Sequence, residues 1–324
     1  MAADYHWNLP RGFPTPAVPI DNPMSDVKVA LGRRLFFETR LSVTGTYSCA
    51  SCHEPARAFT DGRPVALGAT GQPTANSAMA LVNVAYNVSY GWQKPAVQSL
   101  EDQMLEPLLN EHPVEVGLKG REAQVAAMLS GDRAYRTAFA AAFPESGGAA
   151  SLDRIVKAIA AFERTLISGH SPFDRYVFEG QHDALSAAAK RGMALFYSSR
   201  LGCGGCHSGF NFAGHWRDAQ GATGEPTLEN NGTSDSPMRV PTLRNIALTA
   251  PYMHDGRFST LTAVVVHYEA AGRSTGSPRE SPQGKGLRAF TLDAPERADL
   301  IAFLQSLTDP EFVTAFLVSR AAGT

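Results

Sequence analysis

The chain has 324 residues, 44% of them hydrophobic, and a formal charge of −2. That length suits two domains with sizeable cores, the near-neutral balance leaves no basic patch for nucleic acid, and no apolar run reaches the roughly 18 residues of a membrane span. The start, Met1-Ala-Ala-Asp-Tyr-His-Trp, has neither a basic nor an apolar leader region.

In chain order, residues 1–24 read as an arm, with five prolines between positions 8 and 24 holding it extended over the surface. Ser25 suits an N-cap, and Val27, Leu31, Leu35 and Phe36 recur at helical spacing. That helix leads into Cys49-Ala-Ser-Cys52-His53. Residues 54–75 are rich in Gly, Pro and Thr and read as a loop, and 97–109 as a helix. A further helix is expected from Leu152 to about Ser168, with Ile155, Ile159, Phe162 and Leu166 on one face. Gly169-His-Ser-Pro172 ends it and marks the boundary between domains 25–172 and 173–324. A helix over about 184–198 leads to Cys203-Gly-Gly-Cys206-His207, followed by a long polar loop, 208–237. Helices are expected at 260–270 and 294–307, the last turning Leu300, Ile301, Phe303 and Leu304 inward. No long strand is expected.

Both cysteine stretches are C-x-x-C-H, the attachment signature of a c-type haem. Two thiols bond the vinyl groups, and the histidine binds the iron. A zinc site built from the four cysteines would use every thiol and leave both histidines unexplained. The motifs consume all four cysteines, so no disulfide is available. Haem of this type is attached after export, so the protein is read as periplasmic. Met1 is then an artificial start or the mature end left by signal removal.

The halves repeat. Gly32-Arg-Arg-Leu-Phe-Phe37 matches Gly192-Met-Ala-Leu-Phe-Tyr197, Arg40-Leu41 matches Arg200-Leu201, and Leu81-Val-Asn-Val-Ala85 matches Leu243-Arg-Asn-Ile-Ala247. Tyr90 then matches Tyr252, and Trp92 matches His254. The expected fold is mostly α: two cytochrome-c-like haem domains related by internal duplication, with an extended N-terminal arm.

The copies differ where chemistry would differ. A haem that only carries electrons keeps both axial positions filled, and one that meets peroxide leaves one open. The first copy has no histidine between His53 and Trp92; Met79 is its one soft candidate, in a stretch of core character. Gln103, Glu106, Glu111 and Glu115 follow in a segment broken by Pro and Asn. A carboxylate over an open iron can move a proton between peroxide oxygens, whereas most of these glutamates are expected to be solvated. The second copy offers Met253, His254, His267 and Tyr268 as iron ligands.

With these residues in place, the chain resembles the bacterial di-haem cytochrome c peroxidases and MauG-type enzymes. The resemblance rests on both C-x-x-C-H motifs, Leu-Glu-Asp-Gln103-x-x-x-Pro107, Pro113-Val-Glu115-x-Gly117, Phe162-Glu-Arg-Thr, Pro172-Phe-Asp-Arg-Tyr176 and Pro251-Tyr-Met-His-Asp-Gly256. The Trp-Asn-Leu-Pro start and the Glu-His-Pro-Val-Glu segment look most like the MbnH branch. The resemblance implies a peroxidatic haem on His53, with Glu115 as acid–base and Gln103 beside it. It implies Trp92 as electron relay between the haems, Trp92 being otherwise a packing residue. It also implies a calcium ion held by Asn76 and the backbone oxygens of Thr249 and Pro251. In the peroxidases a methionine ligates the second haem fourteen residues after the histidine of Tyr-x-His-Asp-Gly; that position here is Tyr268, as in MauG-type enzymes. Phenolate stabilises higher iron oxidation states and thioether ferrous iron, with His267 the other candidate.

Two departures stand out. Gln103 to Glu115 is two residues longer than the usual peroxidase spacing, which leaves Glu111 open as acid–base. MauG has a tryptophan two residues before its second motif that passes holes to its protein substrate; Leu201 stands there in this chain, leaving Trp216 and Tyr197 as exit candidates. The implied activity uses hydrogen peroxide to form a high-valent di-haem state and oxidises a side chain, a tryptophan giving kynurenine, of a periplasmic partner protein. The alternative is a di-haem cytochrome c peroxidase fed by a small cytochrome or cupredoxin.

Overall fold

The computed structural model describes residues 5–224, 228–229, 238–271 and 289–315. They are mostly helical, with two short antiparallel ribbons, Arg217–Asp218 with Gly221–Ala222 and Leu228–Glu229 with Met238–Arg239. Helix α1 (Asp26–Phe36) starts where the Ser25 hydroxyl accepts from the Lys28 N–H, and α2 is the single turn Cys49–Cys52. The buried stripe of α1 is Lys28, Leu31, Gly32, Leu35 and Phe36, while Val27 is exposed. Lys28 can be buried there because its ammonium reaches Asn22 Oδ1 at 3.0 Å and the Pro23 carbonyl.

Helices α3 (Leu100–Leu109), α4 (Glu122–Gly131), α5 (Arg133–Ala142) and α6 (Leu152–Glu163) complete the first half. The α4–α5 pair had no clear sequence signal, because alanine fills much of both helices and only Asp132, which caps α5, separates them. Helix α6 stops at Glu163, short of the expected Ser168. Asn83 competes for the backbone that would extend it: its Oδ1 takes at 2.8 Å the Ser168 N–H that a longer helix would aim at the Arg164 carbonyl, and its own N–H takes the Leu166 carbonyl at 2.8 Å. The second half contains α7 (Pro172–Phe178), α8 (Ala187–Phe196), the turn α9 (Cys203–Cys206), α10 (Leu261–Ala271) and α11 (Ala294–Gln305).

Two apolar clusters form. One gathers α1 and α3–α6, and the other gathers Phe173, Phe196, Phe212, Leu261, Leu300 and Phe303. The segment after α11 returns to the first, where Phe312 meets Phe59 with ring centroids 5.8 Å apart. The Asp309 carboxylate holds that return, accepting from Ser168 Oγ and the Gly169 and His170 N–H groups at 2.9–3.0 Å. Phe13 is buried against Tyr86 of the first half and Phe210 of the second.

The α1–α6 and α8–α11 crossings share one geometry. A Cβ at Gly32 would lie 1.8 Å from the Ala158 carbonyl oxygen, and one at Gly192 would lie 1.9 Å from that of Asp299. Phe36 and Phe162 pack at 5.2 Å, and Phe196 and Phe303 at 5.1 Å. Gly32→Ala or Gly192→Ala must therefore push a helix away, and each is expected to cost roughly 3 kcal/mol, the upper end for overpacking, measured by denaturant unfolding.

Candidate active site

Each C-x-x-C-H is one helical turn, which puts both thiols on one face. The following histidine closes the turn, with N–H to cysteine carbonyl distances of 3.0 Å at His53 and 2.9 Å at His207. A phenylalanine in the left-handed region then turns its carbonyl back onto the ring: His53 Nδ1 donates to Phe59 at 2.9 Å, and His207 Nδ1 to Phe212 at 2.9 Å. That bond fixes the tautomer and leaves Nε2 for a metal. Burial pushes both imidazoles below their ordinary pKa, keeping them neutral as an iron ligand must be. Four thiols outside any disulfide and two such histidines fit a covalent haem at each turn.

A cavity of about 270 Å³ opens beside the second turn, lined by Cys203, Cys206 and His207. Helix α10 lines it through Leu261, Val264, Val265 and Tyr268, one face at i, i+3, i+4 and i+7. His267 points elsewhere, its ring 5.1 Å from that of Phe258. Met253 and His254 also line the cavity. Ser77 of the first half ties this segment down, through Oγ to the Met253 carbonyl at 3.0 Å and N–H to the His254 carbonyl at 2.7 Å.

Trp92 sits at the same seam. Its indole N–H donates to the Ser77 carbonyl at 3.1 Å, its ring lies 6.5 Å from that of His254, and its carbonyl accepts from the Arg239 N–H at 2.8 Å. Met79 lines the second cavity, its sulfur 3.8 Å from Arg239 Nη2. Thr249 and Pro251 line it too, and Asn76 adjoins the Ser77 tether, its own carbonyl accepting from Thr74 Oγ1 at 2.6 Å. Among the described residues no three His, Cys, Asp or Glu side chains gather to hold a metal ion; an Asn with two carbonyls is a different kind of donor set.

Four glutamates and glutamines were candidates for the first site, and they separate by environment. Glu111 pairs with Lys119 in solvent, and Glu106, part-buried, pairs with exposed Lys94 at 2.7 Å. Glu115 is half-buried, its carbonyl taking the Ala69 N–H at 2.7 Å. Burial raises its pKa above the ordinary carboxylate range, Asn110 partly offsets this, and its charge reaches the Cys52 thiol. Gln103 is half-buried on α3. One turn beyond it, Pro107 accepts from the Val116 N–H at 3.0 Å, so Gln103 and Glu115 flank one junction.

Of the exit candidates, Leu201 is buried and lines the cavity, and Trp216 packs edge-on to Phe210 at 5.6 Å. Tyr197 is 49% exposed and packs against Gly204 of α9, where a Cβ would lie 2.6 Å from its ring. Two buried ionisable groups carried no sequence signal as site residues. Glu163 is pushed up to about 8 by burial, and its charge acts on the Cys49 thiol. Arg239 adjoins the second cavity.

The family model described as di-haem cytochrome c peroxidase matches residues 26–183. The methylamine utilization protein MauG of Methylophilus methylotrophus is 35% identical over 95% of this chain and 92% of its own length. The cytochrome c peroxidase Ccp of Escherichia coli is 33% identical over 92% of this chain and 61% of its own. A crystal structure of a MauG-like protein associated with microbial copper homeostasis superposes with a TM-score of 0.87 at 38% identity, covering 95% of this chain and 97% of that one.

Proposed function

The chain belongs to the di-haem cytochrome c peroxidase family that includes MauG, a family of haem-dependent peroxidase-type oxidoreductases, and from that premise we propose that it is an exported enzyme of MauG type. In this reading it uses hydrogen peroxide to oxidise a tryptophan side chain of a periplasmic partner protein. Tyr268 carries the reading: among the α10 residues that share the cavity wall with His207 it is the one with a side chain that can ligate iron, where a peroxidase would have methionine. The match to a MauG-like structure over nearly the whole chain supports it.

When bound, the haems supply the iron that reduces peroxide and retains the oxidising equivalents. Cys49 and Cys52 anchor one and Cys203 and Cys206 the other, with His53 and His207 presenting Nε2. With a haem held by His53, Glu115 would accept a proton from one peroxide oxygen and return it to the other, which leaves as water, and Gln103 would orient the peroxide. Trp92, held by Ser77 at the seam, relays electrons between the halves, and half-exposed Tyr197 is the exit candidate that touches α9. Asn76, Thr249 and Pro251 hold a calcium ion that braces the seam. The two apolar clusters and the matched helix crossings support two haem domains, 25–172 and 173–324, arisen by duplication behind the arm 1–24.

No histidine lies between His53 and Trp92 to serve as a second ligand to the first haem, so resting EPR is expected to show one high-spin and one low-spin haem. Peroxide added without prior reduction should put oxygen mass on a tryptophan of the exported partner. Rapid oxidation of reduced cytochrome c with every candidate partner unmodified would instead assign the chain to the cytochrome c peroxidases, to which its identity is nearly as high.

A further inference from the structure

The cavity beside the second turn contains two nitrogens that none of the described residues satisfies. Arg239 lines it, and among the described residues no carboxylate pairs with its guanidinium. Its Nε is shielded from solvent without a hydrogen-bond partner. Burial lowers its pKa to about 10, and only the Tyr90 phenol offsets this. His254 lines the same cavity, and its Nδ1 is likewise buried without a partner. Other buried arginines of this chain are matched: Arg164 with Glu101 at 2.7 Å and Arg244 with Asp174 at 2.8 Å.

A cation shielded from water without its anion is costly, and buried nitrogens are rarely left unpaired. This end of the cavity is therefore built for a negative charge that none of the described residues supplies. Trp92 fixes where that end lies: its carbonyl takes the Arg239 N–H at 2.8 Å, and its ring stands 6.5 Å from that of His254.

A haem bonded to Cys203 and Cys206 through its vinyl edge carries its two carboxylates on the opposite edge. We propose that Arg239 and His254 hold the propionates of the second haem and so turn its carboxylate edge toward Trp92. The inference rests on the reading of a covalent haem at Cys203 and Cys206. The Arg239 cation then offsets one propionate beside the iron and favours the reduced form of that haem, and the electron path through Trp92 ends on the carboxylate edge.

The test uses the two-haem protein and the variants R239Q, R239K and H254N. Mass spectrometry comes first; fewer than two haems on the wild type would overturn the haem reading itself, independently of this proposal. With both haems attached, spectroelectrochemistry of R239Q is expected to shift the second haem toward its oxidised form at least tenfold, about 59 mV for one electron. R239K keeps the charge and should lose less. The propionate bending modes in resonance Raman spectra should shift in R239Q, R239K and H254N, so a poorly folding R239Q leaves two readable variants. Unchanged propionate modes in R239K and H254N would overturn the proposal, as would a shift confined to the first haem. Loss of the low-spin EPR signal in H254N would also overturn it, by making His254 the iron ligand.

Discussion

Glu115→Gln is expected to slow the reaction with hydrogen peroxide by about 10²- to 10³-fold, the scale of a lost general acid–base, with both haems still attached. Its environment is what a proton carrier needs. Its backbone is pinned by the Ala69 N–H, its carboxyl is half-buried, and its charge is felt at Cys52 of the first attachment turn. Glu111, the other candidate from spacing alone, is held in solvent by Lys119, so Glu111→Gln should leave the rate within about twofold. The pH dependence follows from the sign of the shift. The acceptor must start as carboxylate, and burial raises Glu115 above the ordinary range. The rate therefore falls on acidification through that raised value, at a higher pH than an exposed glutamate would set, and Glu115→Gln loses the inflection. Stopped-flow mixing with peroxide across pH measures both effects. A slow Glu111→Gln beside a normal Glu115→Gln would place the acid–base on the wrong side of the two extra residues.

What was legible in the sequence was what covalent chemistry or periodicity imposes. Two thiols and a histidine at fixed spacing have to lie on one helical turn, and they do at Cys49–Cys52 and Cys203–Cys206. The stripe of α6 was readable for the same reason, but its end was not, since Asn83, far away in sequence, claims the Ser168 N–H that a longer helix would aim at the Arg164 carbonyl. Val27 fitted the apolar spacing of α1 and still lies in solvent, because Lys28 could satisfy its ammonium on Asn22 and take the buried position. Spacing also left Glu111 open beside Glu115; the surface lysine that holds Glu111 in solvent and the burial of Glu115 tell them apart. Arg239 was invisible because an arginine in a short ribbon reads as solvated, and its meaning comes from a cavity assembled by distant segments.

Tyr268→Met is expected to raise the potential of the second haem by a substantial part of the roughly 0.8 V that axial ligands span. Phenolate is a hard anion that favours the more oxidised iron, whereas thioether favours ferrous iron. The helical phase of α10 makes the substitution decisive. Tyr268 shares the cavity wall with Leu261, Val264 and Val265, while His267 packs on Phe258. A methionine at 268 would therefore offer its sulfur from the same wall. The second haem should become easy to reduce and stop retaining an oxidising equivalent, which removes the driving force for drawing electrons from a protein side chain across Trp92. Partner oxidation with peroxide should then drop by at least about 10²-fold, a loss of nearly 3 kcal/mol in transition-state terms, while oxidation of reduced cytochrome c rises. Spectroelectrochemistry and mass spectrometry of the partner read the two halves of the effect. If Tyr268→Met leaves the potential in place and His267→Gln moves it, the ligand is the histidine, and the case for MauG-type chemistry loses the residue on which it stands.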